Sequence, residues 1–409
     1  RVTSTTDTSE TFALYLPPGY STERRWPVLF VLDPRGRALR ALDLFEPAAA
    51  RLGWVVLSSY NSLSDGPPQP NVDALNAMLM TAQDRLSVDR SRLYLAGFSG
   101  TARAVLALAV GLRGHVAGVI AVGGALGFQL GGSETAFAAD STFAYFGAAG
   151  TRDFNYEEVF AMAERFQKTR VPFRVAAFEG PHSWPPPVMC GDALEWLELR
   201  AMLGGRRTMD SAWVRTRLEA DEARAAELER VGRWAEAIRL NDAITRDYRR
   251  WPAASAAAAR AAALRSRREV ARYEAEMRRL AEEDLHQGLE LIQVLDWARA
   301  QRDAPEFQGL ARKLRIAELQ RTAERGDSLE AASARRRLAR VYVNVAFYEP
   351  RTYLAKAAPE RAVEMLEEAA TIGPIEGEPC RLLRQALSAA TPAQRERFAG
   401  QCMSGSDSP

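Results

Sequence analysis

One serine stands between a strand-like run and a helix-like run, in the segment Gly97–Thr101, which reads Gly-Phe-Ser-Gly-Thr. The apolar residues 92–96 before it are typical of a buried strand, and residues 102–112 after it are typical of a helix. Glycines on both sides of Ser99 let the backbone turn sharply, which exposes the hydroxyl at the helix N-terminus. The free N–H groups there favour negative charge. The segment therefore predicts a nucleophilic serine at the carboxyl end of a strand.

The motif by itself has a second interpretation. Turns of small residues between a strand and a helix also occur for packing reasons, and Thr101 stands where the pattern G-x-S-x-G has its second glycine. A serine nucleophile needs a base that takes its proton and a carboxylate that orients the base. The prediction therefore depends on whether the chain supplies both partners.

The chain has three histidines, and one of them follows a strand-like run. His182 comes after the strand-like residues 174–178 and a Glu-Gly-Pro turn, and active sites on parallel sheets are built from such loops. His115 precedes the next strand-like run and is expected at the opposite edge of the sheet, while His286 lies on a charged helical segment. His182 is therefore the predicted base. The alternative is a surface-loop histidine beside a proline turn.

The predicted acid is Asp153, which follows another strand-like run at residues 143–147. An alternative is that Asp153 caps the helix that begins near Glu157, because aspartate is common at that position. Asp140 and Glu179 are weaker candidates, since one precedes its strand and the other lies nearer the histidine loop. Asp153 is the carboxylate whose position best suits an orienting role.

Strand and helix signals alternate through the first half of the chain. Short apolar strands separated by helices predict an α/β fold, with a mostly parallel sheet and helices on both faces. The candidates follow three of these strands in the order Ser99, Asp153, His182, which is the order of the α/β-hydrolase triad. The predicted strands are residues 12–16, 27–32, 54–58, 92–96, 116–122, 143–147 and 175–178.

Residues 11–203 resemble a compact α/β-hydrolase of the serine esterase type. The segment Leu14–Tyr20, Leu-Tyr-Leu-Pro-Pro-Gly-Tyr, is similar to the lead-in of feruloyl-esterase-like and polyester-depolymerase-like members. The resemblance implies an oxyanion hole with one donor in the backbone N–H of Gly100 and a second in the loop after residues 31–32. That loop reads Asp-Pro-Arg-Gly-Arg where many members carry His-Gly. Arg35 is the expected donor, because the proline before it has no N–H.

Two further loop residues are predicted to contact substrate. Asn61 follows the third predicted strand, and Trp184 follows the histidine loop, where it either walls the substrate pocket or packs in the core. Nearby arginines suit an acidic substrate or product, although a solvated surface is the favoured explanation. The glycine-rich segment 125–139 is either a short lid or a connection. No long cap insertion is visible, which favours an open cleft for bulky or polymeric esters. The arginines are Arg35, Arg37, Arg103 and Arg152.

From about residue 208 the composition shifts to alanine, arginine, glutamate and leucine, and the pattern becomes helical. The predicted organisation is a catalytic domain at residues 1–205 and an α-helical domain at residues 206–409. Gly232–Ile238 resembles part of a tetratricopeptide repeat (TPR), and residues 362–374 fit the later half of the same consensus. The expected architecture is a TPR-like array that offers a surface to a protein partner. The alternative is a plain helical bundle that braces the catalytic domain.

Charge and composition argue against several classes of function. The 54 basic and 52 acidic residues leave a net charge of only +2 and interleave along the helices, so no nucleic-acid binding is expected. No apolar run approaches the roughly 18 residues of a membrane span. Cysteines and histidines are scattered without the spacing of metal ligands, so neither a metal nor another cofactor is expected.

The start of the chain and its cysteines bear on location. The chain begins at Arg1 and continues with the polar residues 3–6, which suggests a removed targeting segment and an exported bacterial enzyme, although a trimmed chain has the same appearance. Cys380 and Cys402 are candidates for a disulfide if the compartment is oxidising.

The predicted function is hydrolysis of a small or polymeric carboxylic ester through an acyl-enzyme. Ser99 attacks, His182 acts as base and then acid, and Asp153 orients the imidazole. The same three residues also suit amide cleavage, so a serine peptidase on this fold is an alternative. A second alternative is an inactive hydrolase fold that serves as a protein-interaction scaffold.

Overall fold

The computed structural model describes residues 1–126, 143–300, 310–387, 392–398 and 402. Most of the predicted lid segment 125–139, and the weaker acid candidate Asp140, lie outside the described residues. The chain divides into two compact units, Arg1–Glu274 and Ala275–Pro409.

In the described part of the first unit, eight strands form one sheet in the order β1-β2-β4-β3-β5-β6-β7-β8. The pairs β1–β2 and β2–β4 are antiparallel, and all the other neighbours are parallel. The predicted mostly parallel sheet is therefore confirmed. The strands are β1 Val2–Thr3, β2 Thr11–Tyr15, β3 Trp26–Leu32, β4 Val55–Ser59, β5 Val88–Phe98, β6 Gly118–Val122, β7 Ala144–Gly150 and β8 Phe173–Phe178.

Both faces of the sheet are covered by apolar side chains. On β3, Val28 and Phe30 belong to one buried cluster, while Leu29 and Val31 belong to another, as the alternation of side chains along a strand requires. Every residue of β3 is buried, which is typical of a parallel strand with helices on both sides.

Eight described helices lie between and after the strands of the first unit. A ninth, α9, begins in this unit and continues into the second. Their bounds are α1 Ala38–Leu52, α2 Gln69–Arg85, α3 Gly100–Gly111, α4 Tyr156–Gln167, α5 Pro187–Leu203, α6 Ser211–Arg230, α7 Trp234–Asp247, α8 Pro252–Ser266 and α9 Arg268–Ala300.

The first unit extends beyond the strands because buried ion pairs hold α6 and α7 to the sheet. Arg174 on β8 lies 2.6 Å from Asp221 on α6 and 2.7 Å from Asp247 on α7, and all three side chains are buried. Trp196 on α5 donates a hydrogen bond of 2.9 Å to Asp247. Three helices that the composition assigns to the second domain thus pack within the first compact unit. The division predicted after residue 205 marks the change in composition, and the division by contacts comes after Glu274.

The described part of the second unit is helical and has its own apolar core, in which Val341, Leu366 and Leu383 are fully buried. Cys380 and Cys402, the pair considered above, form a disulfide. The relation of these helices to TPR repeats stays a prediction. After α9 come α10 Leu310–Lys313, α11 Ile316–Ala323, α12 Leu329–Val343, a π-helical turn Asn344–Tyr348, α13 Glu349–Ala355, α14 Pro359–Ile372, α15 Glu378–Ala386 and α16 Pro392–Phe398.

The described residues contain neither a helix suited to cross a membrane nor a cluster of metal ligands. No described helix combines the length and apolar character that a membrane crossing needs. Within the same residues, no group of three or more His, Cys, Asp or Glu side chains is arranged to hold a metal ion.

Candidate active site

Ser99 occupies the turn between β5 and α3, with φ 58° and ψ −125°. A non-glycine residue with positive φ carries strain of order 1–3 kcal/mol, which persists only when the surroundings hold it. Gly97 is required on the strand side, since a methyl group built on it would lie 2.3 Å from the carbonyl oxygen of Thr101. The sharp turn predicted from the glycines and the serine is therefore present.

Thr101, the departure from the usual motif, holds the turn in place. Its buried hydroxyl lies 2.5 Å from the carbonyl oxygen of Leu32, at the end of β3, to which it donates. It also accepts a hydrogen bond of 3.1 Å from the backbone N–H of Phe98. A glycine offers neither contact, so the threonine ties the serine turn to the neighbouring strand.

The three predicted site residues Ser99, His182 and Asp153 form one hydrogen-bonded row. Nε2 of His182 lies 2.8 Å from Oγ of Ser99, and Nδ1 lies 2.8 Å from Oδ1 of Asp153. With the ring proton on Nδ1, the imidazole donates to Asp153 and accepts from the serine hydroxyl. Asp153 is fully buried and Ser99 is nearly so. The backbone N–H of Asn155 donates a further 2.8 Å hydrogen bond to Asp153 Oδ1, which holds the carboxylate.

Two aromatic rings flank the imidazole of His182. The ring of Phe98 lies 4.6 Å from it and the ring of Phe154 lies 4.3 Å from it, between centroids. These residues adjoin Ser99 and Asp153 in the chain, so the same two loops that carry the polar groups also confine the histidine ring. Such confinement lowers the number of rotamers open to the imidazole.

Close backbone approach brings the acid and histidine loops together. The N–H of Arg152 donates to the carbonyl oxygen of Gly180 at 2.9 Å. A methyl group on Gly150 would lie 2.4 Å from that same oxygen, so this position has no room for a side chain. The loops after β7 and β8 therefore meet, as the parallel topology predicts.

The loop after β3 is organised around the buried carboxylate of Asp33. Its Oδ1 accepts from the backbone N–H groups of Arg35, at 2.9 Å, and of Arg37, at 3.2 Å. Its carbonyl oxygen accepts from the N–H of Gly36 at 3.1 Å. Burial opposes ionisation of Asp33, but hydrogen bonds from Arg37, Trp184 and Arg35 outweigh it and hold the pKa of this carboxyl below its ordinary value.

These contacts bear on Arg35, the predicted second oxyanion donor. The N–H of Arg35 points to the Asp33 carboxylate and is not free to bind an oxyanion in this conformation. Pro34 has no N–H. The N–H of Gly36 donates to the carbonyl oxygen of Asp33, and the N–H of Arg37 donates to its carboxylate. The first predicted donor, Gly100, lies in the first turn of α3, where backbone N–H groups have no partner within the helix.

Trp184 connects the histidine loop to the Asp33 loop. Its indole N–H donates to Asp33 Oδ2 at 2.8 Å, and its ring packs at 5.9 Å from Phe45 and 5.6 Å from Phe98, between centroids. The half-buried tryptophan therefore lies beside the row of polar groups, and its predicted contact with substrate stays a prediction.

Asn61 makes contacts of a different kind. Its side-chain oxygen accepts from the N–H of Thr11 at 3.0 Å, and its amide nitrogen donates to the carbonyl oxygen of Ser9 at 3.1 Å. These bonds hold the start of β2 against the loop after β4. Its predicted contact with substrate stays a prediction, and the contacts observed are structural.

Three of the four loop arginines form ion pairs. Arg37 lies 3.0 Å from Asp33, Arg103 lies 2.6 Å from Glu158, and Arg152 lies 3.7 Å from Glu179. These pairs account for most of the local positive charge without an acidic ligand, in line with the favoured explanation of these residues as surface charge.

Two features of the site have no simple sequence signal. Thr101 departs from the usual motif, and the sequence gives no sign that its hydroxyl binds the carbonyl oxygen of Leu32, 69 positions away. Ser64 is nine-tenths buried and lies against Gly100, but it belongs to a polar loop with no pattern around it. Contacts between loops far apart in the chain create both features.

No family model and no curated protein matches the chain. Among solved structures, the fluorophosphonate-binding serine hydrolase FphF of Staphylococcus aureus is 12% identical, with a TM-score of 0.38 over 46% of this chain and 92% of its own. Est1E from Butyrivibrio proteoclasticus, solved with ferulic acid, is 12% identical, with a TM-score of 0.37 over 47% and 96%. The feruloyl esterase module of Clostridium thermocellum is 16% identical, with a TM-score of 0.38 over 47% and 84%.

These solved structures are serine hydrolases and esterases, the class that the segment Leu14–Tyr20 resembles. Their identities to this chain are low, and a likeness at this level is no evidence for a shared activity.

Proposed function

We propose that this protein is a serine hydrolase that cleaves carboxylic esters through an acyl-enzyme. The observation that carries the proposal is the row Ser99–His182–Asp153, with both heavy-atom distances at 2.8 Å, at the carboxyl ends of the parallel strands β5, β7 and β8. Nucleophile, base and orienting acid are recognised by this mutual geometry and not by their spacing in the chain.

In the proposed mechanism, Ser99 Oγ attacks the ester carbonyl carbon while His182 Nε2 takes the hydroxyl proton. The C=O double bond becomes a C–O⁻ single bond, and the N–H of Gly100 at the N-terminus of α3 stabilises this oxyanion. His182 then gives its proton to the leaving alkoxide as the ester C–O bond breaks. Water attacks the acyl-enzyme by the same route, with His182 as base, and releases the acid.

Asp153 keeps the imidazole in the tautomer that accepts from Ser99 and stabilises the imidazolium that forms. Its complete burial makes this interaction stronger than it would be in water. Loss of one oxyanion donor generally costs about 3 kcal/mol of transition-state stabilisation, so the serine turn contributes through its backbone as well as through its hydroxyl.

The proposal is tested with a fluorophosphonate probe and a panel of p-nitrophenyl esters. We expect covalent labelling of the wild-type chain at Ser99, no labelling of Ser99→Ala, and strongly reduced labelling of His182→Ala. An unlabelled wild-type protein would overturn the proposal and leave a scaffold built on a hydrolase fold. Faster cleavage of aminoacyl-naphthylamides than of the esters would assign the same site to a peptidase.

We also propose export to an oxidising compartment. The disulfide between Cys380 and Cys402 supports it, because such bonds persist mainly outside the reducing cytosol. Mass spectrometry of the protein purified from its native host, alkylated before reduction, tests the state of this pair. Two alkylated thiols at these positions would contradict the proposal.

A further inference from the structure

On the proposed function, Gly100 is the one candidate backbone donor of the oxyanion site, because the N–H groups of the loop after β3 donate to Asp33. An acyl transfer site of this kind ordinarily combines two donors around the developing oxyanion. A group from another loop that approaches the N-terminus of α3 is therefore the candidate for the second donor.

The loop after β4 brings one polar side chain to that position. A methyl group built on Gly100 would lie 2.6 Å from Cβ of Ser64 and 3.0 Å from its Oγ. Ser64 is nine-tenths buried, with 8% of its surface exposed. Its side chain thus fills the space beside Gly100, and any residue other than glycine at position 100 would displace it.

The position of Ser64 is determined by its neighbours on both sides. Its N–H donates to the carbonyl oxygen of Pro34 at 3.0 Å, and the hydroxyl of Ser62 donates to the carbonyl oxygen of Asp33 at 2.8 Å. The side chain of Asn71 on α2 both accepts from and donates to the backbone of Leu63. The loop is therefore attached to the β3 loop and to α2.

The hydroxyl proton of Ser64 is directed at present to the side chain of Asp65, at 2.5 Å. Asp65 itself lies at φ 60°, a conformation that costs energy in a non-glycine residue. A serine hydroxyl rotates about its C–O bond at low cost, so the same proton is able to turn towards a second acceptor.

We propose that Ser64 supplies the second oxyanion donor through its side-chain hydroxyl, alongside the backbone N–H of Gly100. This proposal rests on the proposed hydrolase function. When the tetrahedral intermediate forms, the hydroxyl turns from the exposed carboxylate of Asp65 to the oxyanion, and it turns back when the carbonyl is restored. No proton leaves Ser64 in the cycle.

Ser64→Ala tests the proposal, since it keeps the Cβ that packs on Gly100 and the N–H that binds Pro34. We expect kcat for p-nitrophenyl esters to fall about 10²-fold with KM within about twofold, as for other lost oxyanion donors. The inhibition constant of an alkylboronic acid, a tetrahedral mimic, should rise by the same factor as kcat/KM falls. The thermal midpoint should stay as in the wild type.

Ser91→Ala is the matched control. Ser91 also donates to a nearby carboxylate, that of Asp89 at 2.6 Å, but it lies on the amino-terminal part of β5, away from the serine turn. We expect this variant to keep wild-type kcat, KM and boronate affinity.

Asp65→Asn provides a second variant. The amide nitrogen is able to donate to Ser64 Oγ, which leaves the hydroxyl proton for the oxyanion, so kcat is expected to equal or exceed that of the wild type. A fall in kcat would overturn the proposal, because the carboxylate and not the hydroxyl would then be required.

The remaining outcomes separate the two proposals. Labelling of the wild type by fluorophosphonate together with an unchanged kcat in Ser64→Ala would overturn the role of Ser64 and leave the hydrolase function intact. A fall in kcat accompanied by an equal rise in KM or a lowered thermal midpoint would make Ser64 structural. Absence of labelling in the wild type would overturn both.

Discussion

At the scale of single residues, hydrogen bonding decides which polar groups of the site remain available. The carboxylate of Asp33 accepts hydrogen bonds from the backbone N–H groups of Arg35 and Arg37 and from the indole N–H of Trp184. Because each N–H donates to one acceptor at a time, a loop that looks like an oxyanion hole in sequence becomes a self-contained turn. The same carboxylate links this turn to the histidine loop.

The pH dependence of stability tests the role of Asp33. Its pKa is lower in the folded protein, so it adds stability above the ordinary pKa of an aspartate, about 3.9, and this stability is lost as pH falls through the folded value. We expect Asp33→Asn to lower the free energy of unfolding at pH 7, and the difference from wild type to shrink towards pH 3. Urea unfolding at both pH values measures it. If the two proteins differed in free energy of unfolding by the same amount at pH 7 and pH 3, a stabilising role of the ionised Asp33 carboxylate would be contradicted.

At the scale of secondary-structure elements, buried charges attach helices to the sheet. Arg174 is the cation between Asp221 and Asp247, and Arg217 and Arg200 bind the outer sides of these two carboxylates. Pairing of this quality is needed because an uncompensated charge in the interior is costly. The pairs therefore determine where α6 and α7 pack.

Removal of the central cation should loosen that packing. We expect Arg174→Met to destabilise the first unit by roughly 3–5 kcal/mol, since two buried carboxylates lose a partner. Denaturant unfolding measures the loss. Arg230→Met is the control, because Arg230 pairs with Glu227 on the exposed face of α6, and no measurable loss is expected there. Equal stability of the two variants would contradict this account.

In the second unit, a disulfide links elements in the way that the buried ion pairs do in the first. It joins Cys380 on α15 to Cys402 beyond α16, across a sequence separation of 22 residues. A loop of that size gives roughly 3 kcal/mol by the chain-entropy relation. We expect dithiothreitol to lower the thermal midpoint of the second unit, and to have no effect on the Cys380→Ser/Cys402→Ser variant. An unchanged midpoint in the wild type would contradict a contribution from this bond.

At the scale of the whole molecule, the first compact unit is longer than the part of the sequence that forms strands. It ends at Glu274, whereas the change in composition predicts a boundary after residue 205. Val214, Ile244 and Tyr248, which lie beyond residue 205, are fully buried in the same apolar cluster as Leu29 and Val31 of β3. A fragment that ends at residue 205 would expose this part of the cluster and leave Arg174 without its two carboxylates. Burial and charge pairing therefore both favour the later division.

Truncation tests this division. We expect the fragment 1–274 to fold cooperatively and to react with fluorophosphonate at a rate close to that of the full chain. The fragment 1–205 should be poorly soluble or unfold at a markedly lower denaturant concentration, because apolar surface costs about 25 cal/mol per Å² when exposed. Equal stability of the two fragments would show that α6 to α8 do not belong to the first unit.

The sequence by itself determined the parallel sheet and the three residues that meet at its edge. Apolar runs of strand length alternate with helices, and the carboxyl ends of parallel strands lie along one edge, so Ser99, Asp153 and His182 were expected together. Tertiary structure alone decided that Arg35 binds Asp33, that Ser64 lies against Gly100 and that α6 to α8 pack with the sheet. The physical reason is that these outcomes depend on which donors are already used and which surfaces are already buried, and both are set by contacts between residues far apart in the chain.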